Sequence, residues 1–102
     1  MTVVADEELA FAGPAALAGH VRAGAVSPRE LVELFLGRML STGPPLNAFR
    51  EIFAEEALAA ADRLAASEEV RSGSLAGVPF AVKDDMALAG HSVTYGSRSP
   101  GL

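Results

Sequence analysis

The chain has 102 residues, 50% of them hydrophobic, with a formal net charge of -5 and no cysteine. That length holds one small domain, which buries roughly two-thirds of the surface its unfolded chain exposes, so a multidomain enzyme is excluded. The apolar content excludes a disordered acidic tail, and the lack of cysteine excludes disulfides, thiolate metal sites and a thiol nucleophile.

A first helix is predicted from Pro14 to Ala23, since Pro suits the first helical position and Gly24 can take the left-handed conformation just past the end. Leu17 and Val21, four apart, form its buried stripe. The next start signal is stronger. Ser27-Pro28-Arg29-Glu30 reads as a capping box, with the Ser27 hydroxyl accepting from the Glu30 amide while the Glu30 carboxylate reaches back, and Val26 and Leu31 are placed to staple it. Leu31, Val32, Phe35, Leu36, Met39 and Leu40 then recur at three and four on a helix that Gly43-Pro44-Pro45 is expected to end.

Leu46 to Phe53 is ambiguous: Phe49, Ile52 and Phe53 fit a helix, while Phe49, Glu51 and Phe53 fit one face of a strand. A third helix is predicted from Ala54 to Ser67, with Ala57, Leu58, Ala61, Leu64 and Ala65 on one side and Glu55, Glu56 and Asp62 outside. Its alanines imply close packing against a neighbour. Arg71-Ser72-Gly73-Ser74 is a polar connector, Val78-Pro79-Phe80-Ala81-Val82 suits a buried or edge strand, and Asp84 to Leu102 reads as loop.

Seven arginines and one lysine are scattered singly, with no basic patch, which argues against a nucleic-acid partner. Met1 to Glu8 has neither a positive segment nor a following apolar stretch, so no secretory signal is expected, and no apolar run approaches the roughly 20 residues that span a bilayer. The expected protein is soluble and cytoplasmic, with no membrane partner, no metal and no cofactor.

Lys83 is the only lysine and directly follows the apolar run 78–82. An amine buried at a strand end loses solvation, which disfavours its charged form and frees it to act as a base, as arginine cannot. Spacing alone favours a solvated strand end, because single charged residues mostly lie on the surface. Asp84-Asp85 makes a poor metal or acid pair, since neighbours in an extended chain point to opposite faces; a carboxylate turning the chain fits better. His20 and His91 have no ligand-like spacing, and His20 is expected to be exposed or half-buried. Ser92, Thr94, Ser97 and Ser99 are nucleophiles by type only, with no Gly-x-Ser-x-Gly context, and Gly73, Gly77 and Gly96 form no phosphate-binding pattern.

The run Ser74-Leu75-Ala76-Gly77-Val78-Pro79-Phe80-Ala81-Val82-Lys83-Asp84, followed by Gly90 and Thr94-Tyr95-Gly96-Ser97, resembles the amidase signature family. That family carries a Gly-Pro-Leu-x-Gly-Val/Ile-Pro-x-x-Val-Lys-Asp run and then a Thr-x-Gly-Ser turn. Ser27-Pro28-Arg29-Glu30-Leu31, Leu46-Asn47-Ala48-Phe49 and Glu56-Ala57-Leu58 occur upstream in the same order, so the resemblance covers nearly the whole chain. It implies an α/β fold: the N-terminal helices and first strands of a mixed β-sheet flanked by helices, incomplete here, with residues 1–102 an N-terminal fragment of one amidase domain. It also turns the 46–53 segment toward a strand.

The resemblance further implies a serine hydrolase without histidine, acting on a small-molecule amide. An un-ionised lysine takes a proton from a bridging serine held on a cis peptide, and that serine deprotonates a nucleophilic serine; the acyl-enzyme forms, ammonia or an amine leaves, and water completes hydrolysis. Lys83 matches the catalytic lysine, which reverses the reading from spacing alone. Ser74 stands where the family usually has Pro, and Ala76 where His is common. Val93-Thr94-Tyr95-Gly96-Ser97 departs from the Thr-Thr-Cys-Ala-Ser-like sequence usual in the glutamyl-tRNA amidotransferase members of the family, which tilts the reading toward a general amidase. The Gly- and Ser-rich segment with both catalytic serines lies C-terminal to everything here, so the chain alone is expected to be inactive. It is also expected to be poorly stable, with 78–82 belonging to a larger sheet. A competing reading is a non-catalytic helical stub that binds a partner through the exposed face of its 31–40 helix.

Overall fold

A computed structural model describes residues 5–95 as helices joined by irregular segments. In chain order these are α1 (Asp6–Ala10), α2 (Pro14–Arg22), α3 (Pro28–Leu46), α4 (Ala54–Ala65) and α5 (Glu69–Ser72). The α/β expectation is corrected: among the described residues there is no strand and no sheet.

Local chemistry sets the first two long helices. Pro14 opens α2, and past its end Gly24, at φ 77°, lets the Gly24 amide reach Val21 O at 3.1 Å and the Ala25 amide reach His20 O at 2.9 Å. This double bond pattern is a Schellman close, which needs a left-handed residue. The chain then turns into the Ser27 cap. Glu30 N–H donates to Ser27 Oγ at 3.0 Å and Ser27 N–H donates to Glu30 Oε1 at 3.1 Å, completing the capping box. Val26 and Leu31, on either side of the cap, are both buried in one cluster with Leu9, Leu17 and Val21. Thus the staple that aims α3 is also the centre of the core, and Leu31 is its fully buried member.

α3 does not stop at Gly43-Pro44-Pro45, as expected, but runs to Leu46 with both prolines inside its last turn. Each proline removes one amide-to-carbonyl bond. Here the carbonyls they leave, on Leu40 and Ser41, belong to exposed residues where water can take the lost donors' place. Asn47 at φ 50° then closes the helix, its amide on Pro44 O at 3.2 Å and the Ala48 amide on Gly43 O at 3.4 Å. The 47–53 segment that follows is irregular, neither helix nor the strand expected.

α4 packs along α3, with Ala61 buried and Arg29 of α3 bridging to Asp62 at 2.7 Å and to Glu33 at 2.9 Å. Its expected inner face is met except at Ala65, which is exposed, and Glu55, Glu56 and Asp62 face out as expected. Two short helices lay outside the sequence expectation. α1 lies against α3, where the Arg38 guanidinium sits 5.1 Å from the centre of the Phe11 ring. α5 takes in Arg71 and Ser72 of the expected polar connector, and beyond it Gly77, at φ 89°, passes so near α2 that an added Cβ would lie 2.9 Å from Val21 Cγ1.

Residues 78–82 form no strand. A strand exists only through pairing with a neighbour, and none is present among the described residues, so this apolar run stays irregular with Phe80 86% exposed. Between it, the 49–53 segment and the outer face of α3 lies an open apolar groove of about 290 Å³, walled by Val32, Phe35, Leu36 and Met39 of α3 and by Phe49, Phe53, Pro79 and Val82.

Two substitutions probe this framework. Ser27→Ala removes the cap and is expected to lower stability by about 1 kcal/mol, read from the urea unfolding midpoint. Gly77→Ala combines a positive φ with the Val21 clash and should cost more than about 1 kcal/mol in the same measurement.

Candidate functional site

The apolar run ends in a turn that carries the lone lysine. Met86 N–H donates to Lys83 O at 3.1 Å, which places Asp84 and Asp85 at the bend. The carboxylate pair therefore turns the chain, as its spacing suggested, although no strand precedes it among the described residues. Lys83 itself is 82% exposed at its side chain, with Nζ 3.3 Å from Asp85 Oδ2. The buried strand-end amine of the sequence reading is thus corrected: with no sheet around residues 78–82, nothing among the described residues covers the ammonium.

Asp84 points the other way and closes the loop 84–95. Its Oδ1 accepts from Thr94 N–H at 3.0 Å, its Oδ2 accepts from the Thr94 hydroxyl, and its backbone carbonyl accepts from Tyr95 N–H at 3.0 Å. Tyr95 holds φ 52°, a left-handed value that costs a bulky residue energy and persists where surrounding bonds enforce it. Within the loop, Gly90 at φ 81° supports a second turn, in which His91 N–H donates to Leu88 O at 3.0 Å.

The loop is anchored on the helical body by two residues. Arg50 Nε lies 3.2 Å from Asp84 Oδ2, its Nη2 donates to Ser92 O at 2.7 Å, and its Nη1 meets the Glu51 carboxylate. His91 rests on the Phe53 ring at 4.0 Å between centroids, with Nε2 3.4 Å from Glu56 Oε1 and Nδ1 3.8 Å from Glu51 Oε2. Among the described residues no cluster of three His, Asp or Glu side chains is arranged to hold a metal ion.

Of the residues singled out in the sequence, Lys83, Asp84, His91, Ser92 and Thr94 meet in this loop, whereas His20 stays half-buried on α2. Thr94 serves as a donor to Asp84, and Ser92 contributes its carbonyl to Arg50. Gly96, Ser97 and Ser99 lie outside the described residues. Arg50 was missed. The available signal was a lone cation set between Phe49 and Ile52 in an apolar stretch, but nothing in the spacing joins it to Asp84, 34 positions on.

A family model described as Amidase matches residues 30–100, which takes in most of α3, the groove and the whole lysine loop. The chain belongs to the amidase family. The A chain of the glutamyl-tRNA(Gln) amidotransferase of Synechococcus sp. (strain CC9605) is 44% identical over 83 residues, covering 78% of this chain and 16% of that protein. A protein of Mycobacterium tuberculosis (strain ATCC 25618 / H37Rv) that bears the name amidase AmiB2 is 39% identical over 97 residues, covering 92% of this chain and 21% of its own. The chain therefore spans about one-fifth or less of the length of these relatives. No solved structure matches it. No helix among the described residues of this amidase-family chain is long and apolar enough to cross a membrane.

The two aspartates of the turn are expected to separate in mutagenesis. Asp84→Ala deprives two Thr94 donors and Arg50 of their acceptor and should cost about 1–3 kcal/mol in chemical denaturation. Asp85→Ala removes only a solvated pair and should stay within about 0.5 kcal/mol of the parent.

Proposed function

We propose that residues 1–102 are the N-terminal part of an amidase domain that hydrolyses carboxylic amides to a carboxylate plus ammonia or an amine, and that Lys83 is its catalytic lysine. One observation carries this reading: the matched region contains Leu75-x-Gly77-x-Pro79-x-x-x-Lys83-Asp84, and the lysine stands on a turn whose own aspartate is clasped to the following loop. The resemblance supplies the chemistry. The neutral amine accepts the proton of a bridging serine, that serine activates the nucleophile, and the proton returns to the leaving nitrogen. A base without a nucleophile accelerates little, so the 102 residues alone are inactive.

The exposure of Lys83 and the open groove beside it suit this division. Ala81 and Val82 line the groove, and the proposed base follows them directly in sequence. The substrate on this reading is a small-molecule amide met in the cytoplasm, with no nucleic acid and no membrane involved. A second reading, a part resembling the A chain of an amidotransferase that acts on tRNA-linked glutamate, draws support from the 44% identity to such a protein.

The deciding experiment extends the reading frame past Leu102 and expresses its whole product. Expected is a Gly- and Ser-rich continuation and release of ammonia from simple amides. Lys83→Ala should lower the rate by about a thousandfold, and Lys83→Arg should not restore it, because a guanidinium keeps its proton. Hydrolysis by the 102-residue chain itself, or full activity of Lys83→Ala, would sink the proposal.

A further inference from the structure

The Arg50 guanidinium meets three acceptors from three parts of the chain: Asp84 at one arm of the loop, the Ser92 carbonyl at the other, and Glu51 beside it. A guanidinium presents its donors in one rigid plane, so a single side chain sets the angle between both loop arms and the 49–53 segment. The consequence for the lysine is electrostatic. Lys83 and Asp84 are neighbours in sequence, and a carboxylate within a few ångströms of an amine stabilises its protonated form, which opposes its use as a proton acceptor. In the structure the Asp84 carboxylate is turned onto Arg50 and Thr94, and among the described residues Lys83 pairs with the more exposed Asp85, a solvated pair of little strength.

We infer that Arg50 is a positioning residue of the lysine turn, one that draws Asp84 to the Thr94 side of the loop and keeps its charge off the Lys83 amine. This rests on the proposed role of Lys83 as a base. Among the described residues, the charged or titratable side chains of the loop and of the 49–53 segment, besides Lys83, are Asp84, Asp85, His91, Tyr95, Arg50 and Glu51. Without Arg50, Asp84 keeps its Thr94 donors but loses the guanidinium that offsets its charge, so more of that charge bears on the neighbouring Lys83 amine.

The full 102-residue chain suffices for the test, because Lys83 is its only lysine. Acylation by a small amine-selective anhydride at one mildly alkaline pH, followed at the Lys83 peptide by mass spectrometry, reports the free-amine fraction. Arg50→Gln is expected to slow acylation by about threefold, the effect of one added carboxylate in a solvated setting. Adding Asp84→Asn to Arg50→Gln is expected to restore the parent rate, which a loss of structure alone would not do. Amide exchange at Thr94 and Tyr95 should rise about tenfold in both single variants, while the amides of α3 keep their protection. Unchanged acylation and exchange in Arg50→Gln, or a double variant as slow as the single one, would overturn the inference. Should Arg50→Gln also lose protection in α3, Asp84→Asn decides alone: faster Thr94 exchange without slower acylation upholds the inference, and unchanged exchange overturns it. Loss or retention of hydrolysis in Lys83→Ala bears on the base role and leaves these rates untouched, so the two failures are distinguishable.

Discussion

The reciprocal bonds between Ser27 and Glu30 fix where α3 begins and the angle at which the chain enters it. Because Val26 and Leu31 flank that cap, the same few residues that satisfy the orphan amides also gather Leu9, Leu17 and Val21 into a core. α3 is thereby committed to two tasks. Its inner side, at Leu31, closes the core with Leu34 and Phe35 packed against it, while Val32, Leu36, Met39 and part of Phe35 line the groove. A helix displaced by one residue would rotate by about 100° and exchange these faces, so the cap decides which apolar residues are finished and which are left open.

The open side explains why an amidase-family chain of this length shows helices without a sheet among its described residues. Helical bonds are satisfied within a segment, so α2, α3 and α4 form from local sequence once their apolar faces find each other. A strand has no such autonomy, since its amides need another strand. Residues 78–82 have the apolar composition of a buried strand, and 79–82 line the groove, but no partner strand stands beside them among the described residues. The 46–53 segment is held differently again: its first residue completes α3, and its charged centre is tied up by Arg50 and Glu51.

The loop 84–95 shows how order is reached without regular secondary structure. Its two ends are joined through Asp84, its arms are set by Arg50, and His91 rests on Phe53 at the start of α4. Each contact lies on or near the surface, and such interactions are individually weak, so the loop depends on several acting together. Lys83 projects from this framework into solvent, beside an apolar groove.

Much was legible in the residues, and the reason is locality. The cap at Ser27, the α2 close at Gly24, the inner face of α4 and the turn at Asp84-Asp85 each depend on residues within a few positions of one another, and the motif 75–84 pointed to the amidase family before any coordinates. Pro44 and Pro45 misled because a proline's cost depends on whether solvent can reach the carbonyls it strands, which is a matter of exposure. The partners of Arg50, the exposure of Lys83 and the unpaired state of residues 78–82 rest on contacts far apart in the chain or on a pairing strand that sequence periodicity cannot supply. Local hydrogen bonding and apolar spacing thus settled where α2, α3 and α4 begin, and the likeness of the 74–84 motif pointed to the family, while the tertiary structure alone decided that Asp84 faces Arg50 and Thr94 rather than its neighbour Lys83, because those donors arrive from other parts of the chain.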